Sequence, residues 1–166
     1  MIPIVSIVGR SDSGKTTLME KLIPELVKRG YRVATIKHDV HGFDMDHEGK
    51  DSWRHKKAGA SISIISSPWK VGLVEDVDRD HELSEIRKRY VRNVDLVLSE
   101  GYKGNNHPKI EVFRSATNHE LLCSQTDDLL AIASDRSFNL GVPCVDINDA
   151  AALAEIIIQR FPKPSP

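Results

Sequence analysis

Cysteine is scarce in this chain. There are two in 166 residues, Cys123 and Cys144, far apart and with neither a CxxC pair nor metal-ligand spacing around them. That argues against a disulfide framework and against a zinc site, and leaves two reduced thiols in or near the core. Long apolar runs are missing too. None approaches the ~20 residues needed to span a bilayer, so no membrane partner is expected. The N-terminus lacks a charged stretch leading into a long apolar one, so no signal peptide is read, and cytoplasmic residence follows as the default. Charge of one sign is not in excess. A formal net charge of -1 argues against a general nucleic-acid binder, although a local anion site stays open. Internal repeats and low-complexity linkers are absent. With 40% hydrophobic and 28% charged residues, the chain reads as an ordinary globular protein. One α/β domain is expected over residues 1–161, with Pro162 to Pro166 as a frayed tail.

What is present alternates between strand and helix patterns. Ile4 to Val8 is an apolar, β-branched run bounded by Pro3 and Gly9, which predicts a buried strand. Leu18, Leu22 and Leu26 then recur at helical spacing, and Gly30 offers a stop. Pro24 lies inside this helix as a candidate kink. Tyr31 to Lys37 returns to a strand pattern, giving a βαβ unit with a parallel, right-handed crossover. His38 to Lys50 is a polar loop, and Asp51 to Ala60 a candidate short helix. Ser61 to Ser66 and Lys70 to Glu75 predict a hairpin that adds antiparallel strands to the sheet. A helix is expected over Asp80 to Val91. Strands follow at Asp95 to Ser99, Lys109 to Phe113, Leu129 to Ala133 and Val142 to Asp146. A closing helix runs from Asp149 to Phe161, capped by Asn148 or Asp149. The stretch between Phe113 and Leu129 gives no clear pattern. The expected fold class is a P-loop NTPase-type α/β protein, a mostly parallel sheet flanked by helices with an added β-hairpin.

The chemistry concentrates in Gly9-Arg10-Ser11-Asp12-Ser13-Gly14-Lys15-Thr16, a full match to GxxxxGK[ST] between an apolar strand and an amphipathic helix. Phosphate oxygens need many donors in a small space. The loop's backbone N–H groups form an anion nest, and the helix adds its positive end. Gly9 and Gly14 admit backbone angles that a side chain would obstruct. Ser11, Asp12, Ser13 and Thr17 line the same turn. Lys15 is read as the cation on the β- and γ-phosphates and Thr16 as a hydroxyl for Mg²⁺.

Such a loop needs a carboxylate to complete the Mg²⁺ shell. Ligands sit beyond the carboxyl ends of parallel strands, which selects Glu100 over Asp95, the latter at the wrong end of the same strand. Lys37-His38-Asp39 ends the second strand. Asp39 is the candidate that orients a water or holds Mg²⁺ through one. The following His41, Asp44, Asp46 and His47 read either as a polar loop or as a metal-ion site. Arg87, Lys88, Arg89 and Arg92 read as the solvated face of a helix whose other face holds Leu83, Ile86 and Tyr90.

With these residues assembled, the chain resembles the molybdopterin-guanine dinucleotide biosynthesis protein B (MobB) family. The resemblance rests on an ordered set along most of the chain. It begins with Lys15, Thr16 and Thr17, then Ile36-Lys37-His38, Asp44-Met45-Asp46, Gly49-Lys50-Asp51-Ser52 and Ala58-Gly59-Ala60. It continues with the run from Asp95 to Lys103, Pro108 to Val112, Ala133-Ser134-Asp135 and Asp146-Ile147-Asn148-Asp149. Val40 departs from the pattern, in which a further histidine often follows Lys-His. The resemblance implies a GTP-binding homodimer with weak GTPase activity, and the P-loop reading supplies Mg²⁺ as cofactor. It also implies an accessory role to the guanylyltransferase that attaches GMP to molybdopterin, with molybdopterin itself a candidate ligand.

No NKxD motif reads a guanine here. Asp135 is the substitute, since a carboxylate can accept from both N1–H and the 2-amino group; the other reading is an ordinary turn aspartate. Two further function classes compete. A small-molecule or nucleotide kinase should carry an arginine-bearing lid, and no convincing one is found. A metallochaperone GTPase would set paired Cys and His ligands near the site, and the cysteines are not so placed. The apolar hairpin from Ser61 to Glu75 is expected to pack at a homodimer interface, because a lone hairpin is marginal in water.

Overall fold

The computed structural model describes residues 1–117, 119–124 and 127–163. Along the chain run β1 (Ile4–Val8), α1 (Lys15–Lys28), β2 (Val33–Lys37), α2 (Asp51–Lys57), β3 (Ile62–Ser66) and β4 (Val71–Glu75). Then come α3 (Leu83–Tyr90), β5 (Leu96–Glu100), β6 (Lys109–Phe113), a 3₁₀ turn at Ser115–Thr117, β7 (Leu129–Ser134), β8 (Cys144–Asp146) and α4 (Ala150–Arg160). The residues gather into two compact units. One holds Met1–His38 and the chain from Leu83 on, the other Asp39–Glu82. The expected tail lies outside the described residues from position 164 onward.

The larger unit is built on a six-stranded sheet in the order β2-β5-β1-β6-β7-β8, with every neighbouring pair parallel. The expected βαβ succession is present, but β1 and β2 are not hydrogen-bonded neighbours. β5 lies between them, pairing Ile4 with Val97 on one side and Val33 with Leu96 on the other.

Alternation along β1 decides which layer each side chain joins. Val5 and Ile7 pack with Leu18, Leu22 and Leu26 of α1 and with Leu153, Ala154 and Ile157 of α4. Ile4 joins Leu83 of α3 and Val97 on the other face, and Val8 joins Cys123, Leu129 and Ile132. Continuous burial along β1, β6 and most of β5 is what a parallel sheet covered on both faces requires. Pro24 sits inside the continuous span of α1. Asp149 caps α4, its carboxylate accepting from Ala152 N at 3.0 Å. Both cysteines are free. Cys123 is buried, and burial pushes its thiol up to about 12, so it stays protonated and unreactive.

Two expectations are corrected. The hairpin β3–β4 forms its own two-stranded antiparallel sheet and adds no strand to the large one. Alternation gives it no buried face within its unit, since Ile64, Ile65, Trp69 and Val71 are all exposed. The basic stretch of α3 is also not uniformly solvated. Arg87 is half-buried and donates to the Ile2 carbonyl at 3.1 Å, binding α3 to the segment that leads into β1. No helix among the described residues is long and apolar enough to cross a membrane.

The smaller unit holds α2, β3 and β4. Lys56 ties it together, pairing with Asp76 at 2.6 Å and donating to the Ala60 carbonyl at 2.7 Å.

Candidate functional site

At the carboxyl edge of the large sheet, β1 runs into Gly9 and the chain turns through Ser11 to Gly14 before α1 begins. Gly9 adopts φ 153, and a Cβ there would lie 2.5 Å from the Val112 carbonyl oxygen and 2.6 Å from Ser13 Oγ. No side chain fits, so glycine is required for the loop to lie against the end of β6. Asp12 takes the left-handed region at φ 60, which an aspartate tolerates better than most residues. Gly14 stands at the N-cap of α1 with no side-chain cap, and the first turn carries no acid. The opening N–H groups of α1 therefore lack side-chain acceptors and sit at the positive end of a 14-residue helix.

Three further groups converge on this turn. Lys15 Nζ arches back to donate to the Arg10 carbonyl at 2.7 Å, holding its ammonium over the loop. Burial lowers its pKa from the ordinary lysine value, while the Glu100 carboxylate acts in the opposite direction. Thr16 Oγ1 donates to Glu100 Oε1 at 2.9 Å. That contact joins residues far apart in sequence, made neighbours because β5 pairs beside β1 with Ile7 opposite Glu100. A cavity of about 520 Å³ opens here, lined by Ser11, Asp12, Lys15, Thr16, Thr17 and Glu100, together with Gly14 and Arg114. A hydroxyl and a carboxylate oxygen within hydrogen-bond distance are a hard-oxygen pair of the type Mg²⁺ prefers. The uncapped helix end and the lysine suit phosphate oxygens.

Two acids of the larger unit do not line this cavity. Asp95 is at the opposite end of β5, where it accepts from Arg32 N at 2.7 Å and pairs with Lys163 at 2.9 Å. Those two partners hold its pKa below the ordinary value. Asp135 follows β7, and its carboxylate accepts from Ser115 N at 2.9 and 3.1 Å and from Ser115 Oγ at 2.9 Å. Asp39 opens the smaller unit, with its Oδ1 accepting from His41 N at 3.0 Å. In the same unit the Asp46 carboxylate accepts from His47 N at 2.8 Å. Among the described residues no three His, Cys, Asp or Glu side chains gather into a metal-binding set.

Arg114 escaped the sequence reading. It falls in the stretch without a clear pattern, and only the pairing of β6 beside β1 brings it to the loop.

A parallel sheet whose first strand enters a glycine-bounded nest at a helix N-terminus, with an acid closing the adjacent strand, defines a P-loop nucleotide-binding fold. A family model described as "Molybdopterin guanine dinucleotide synthesis protein B" matches residues 4–135. The chain belongs to the MobB family. It is 37% identical, over 98% of this chain and 95% of the relative, to the molybdopterin-guanine dinucleotide biosynthesis adapter protein of Escherichia coli strain K12. It is 39% identical to the protein of the same name in Haemophilus influenzae, covering 94% of this chain and 88% of that one. Among solved structures, Bacillus subtilis MobB superposes with a TM-score of 0.78 at 25% identity, covering 98% of this chain and 100% of that one.

Proposed function

We propose that this protein is a cytoplasmic, GTP-binding adapter in the synthesis of molybdopterin guanine dinucleotide. It hydrolyses GTP slowly and serves the guanylyltransferase that attaches GMP to molybdopterin. The observation that carries the nucleotide half is the Thr16–Glu100 pair at 2.9 Å, seated at the mouth of a complete P-loop. The adapter half rests on family membership and on the names of the two relatives. Thr16 and Glu100 would hold Mg²⁺, which when bound neutralises phosphate charge. Lys15 grips the β- and γ-phosphates in exchange for its bond to the Arg10 carbonyl, and a triphosphate beside it favours the ammonium form. Asp135 is proposed to read the guanine edge with the acceptor capacity that Ser115 leaves free.

Calorimetry with GTP and ATP, with and without Mg²⁺, tests the site. Lys15→Ala is expected to weaken GTP binding at least tenfold, since a charge-assisted bond contributes about 1.5–3 kcal/mol. Glu100→Gln raises the Mg²⁺ concentration needed for hydrolysis and leaves Mg²⁺-free GTP binding nearly unchanged, while Asp95→Asn leaves the Mg²⁺ dependence alone. Asp135→Asn narrows the preference for GTP over ATP. A Lys15→Ala protein that binds GTP as wild type does would overturn the site. Failure of a purified molybdopterin guanylyltransferase to bind the protein would overturn the adapter role.

A further inference from the structure

β1 has two hydrogen-bonded neighbours, β5 and β6, and each ends beside the P-loop. Glu100 closes β5, and Arg114 immediately follows β6. The nest is thus flanked by an acid on one side and a guanidinium on the other. We propose that Arg114 grips the phosphate chain of the bound nucleotide within the same chain, from the side of the loop opposite Glu100. The proposal deepens the nucleotide-binding reading and rests on it.

Three observations support it. First, Arg114 lines the same cavity as Ser11, Lys15 and Thr16. Second, its guanidinium lies over Gly14. A Cβ at that residue would stand 3.1 Å from Arg114 Nε and 3.4 Å from Nη2, and Gly14 itself sits at φ 94, where side chains are strained. Third, Arg114 Nε is buried and has no hydrogen-bond partner. An arginine N–H is a donor with no acceptor function, and leaving a charged donor buried and unsatisfied is costly. An oxygen-rich ligand in the cavity supplies the missing acceptors, and a planar fork of donors suits phosphate.

The backbone beneath this side chain is fixed from two sides. The Arg114 carbonyl accepts from Thr117 N at 3.1 Å and from Thr117 Oγ1 at 2.8 Å. The next residue, Ser115, donates its N–H and its hydroxyl to Asp135. The side chain therefore starts from a fixed point beside the loop.

The test measures binding of GTP, GDP and inorganic tripolyphosphate to wild type, Arg114→Ala, Arg114→Gln and Arg114→Lys, together with unfolding of each protein without nucleotide. Arg114→Ala and Arg114→Gln are expected to weaken GTP, GDP and tripolyphosphate alike, by about tenfold or more, as loss of a charge-assisted contact does. Arg114→Lys recovers part of that loss, since it restores charge without the fork. Wild-type affinity in Arg114→Gln overturns the proposal and leaves the P-loop reading intact. Weakened GTP binding with unchanged tripolyphosphate binding also overturns it, because the arginine then acts on the base. Arg114→Gln isolates the ligand role if Arg114→Ala unfolds, since it keeps most of the aliphatic stem and its packing while removing the charged fork. A wild-type protein that binds none of the three overturns the nucleotide-binding reading and this proposal together.

Discussion

His107 shows how a single residue converts position into pH dependence. It stands just before β6, at the end of the sheet remote from the P-loop, in a groove also lined by Arg87, Asp95, Arg160 and Lys163. Burial is the first cause that lowers its pKa below the ordinary 6.5, followed by the charges of Arg87 and Lys109. The folded protein therefore takes up this proton less readily than the unfolded chain. Well above pH 6.5 both states hold it neutral and it contributes nothing to the balance. As pH falls through that value the unfolded chain protonates first, so stability declines until the folded pKa is reached. Denaturant unfolding between about pH 7.5 and 5.5 should show this loss, and His107→Gln should flatten it. Asp95, Asp127 and Asp135 carry depressed pKa values, and their contributions fade at lower pH, outside the histidine window.

At the scale of the element, β6 shows the difference between pattern and packing. The first four residues of its sequence, Lys-Ile-Glu-Val, alternate polar and apolar, the pattern of a strand with one wet face. All five residues are buried. The polar face is covered by the chain after the 3₁₀ turn. Glu111 accepts from Leu122 N at 2.5 Å and Cys123 N at 2.8 Å, and Lys109 pairs with Asp127 at 3.2 Å. The two polar side chains act as anchors for this segment. Glu111→Ala orphans one buried and one half-buried donor and should destabilise the fold by roughly 2 kcal/mol, given a cost of about 1–3 kcal/mol for a buried unsatisfied group. Chemical denaturation measures the loss. Faster amide hydrogen exchange at Leu122 and Cys123 would place it in this segment rather than across the sheet.

At the scale of the molecule, the unit of residues 39–82 exposes an unusual amount of apolar surface. Ile64 is 60% exposed, Ile65 61%, Val71 72% and Trp69 89%. A hairpin met within its unit only by the short helix α2 buries too little area to hold its register alone. We propose a second copy of the chain as the partner, in a homodimer. Sedimentation at micromolar concentration should give a dimer, and Ile65→Glu with Val71→Glu should shift it toward monomer. The larger unit carries its own core and should keep GTP binding in that variant. A wild-type monomer under those conditions would sink the proposal.

The sequence alone determined the features that depend on neighbours in the chain. The β1–loop–α1 succession follows from an apolar run, two glycines and leucines at helical spacing. β6 lies where its residues placed it, and Asp149 caps α4 as one of two candidates. Glu100 was distinguishable from Asp95 because strand direction fixes which end meets the loop. Only the tertiary structure decided what depends on strand order. Local pattern predicts a strand but not its neighbours, so β5 between β1 and β2, and β6 on the far side of β1, were not legible. The separation of the hairpin from the large sheet was hidden for the same reason. Arg114 was invisible because nothing in its own segment marks it. Its relation to Gly14 exists only because two strands distant in sequence lie side by side, and a contact of that kind is written in topology rather than in spacing.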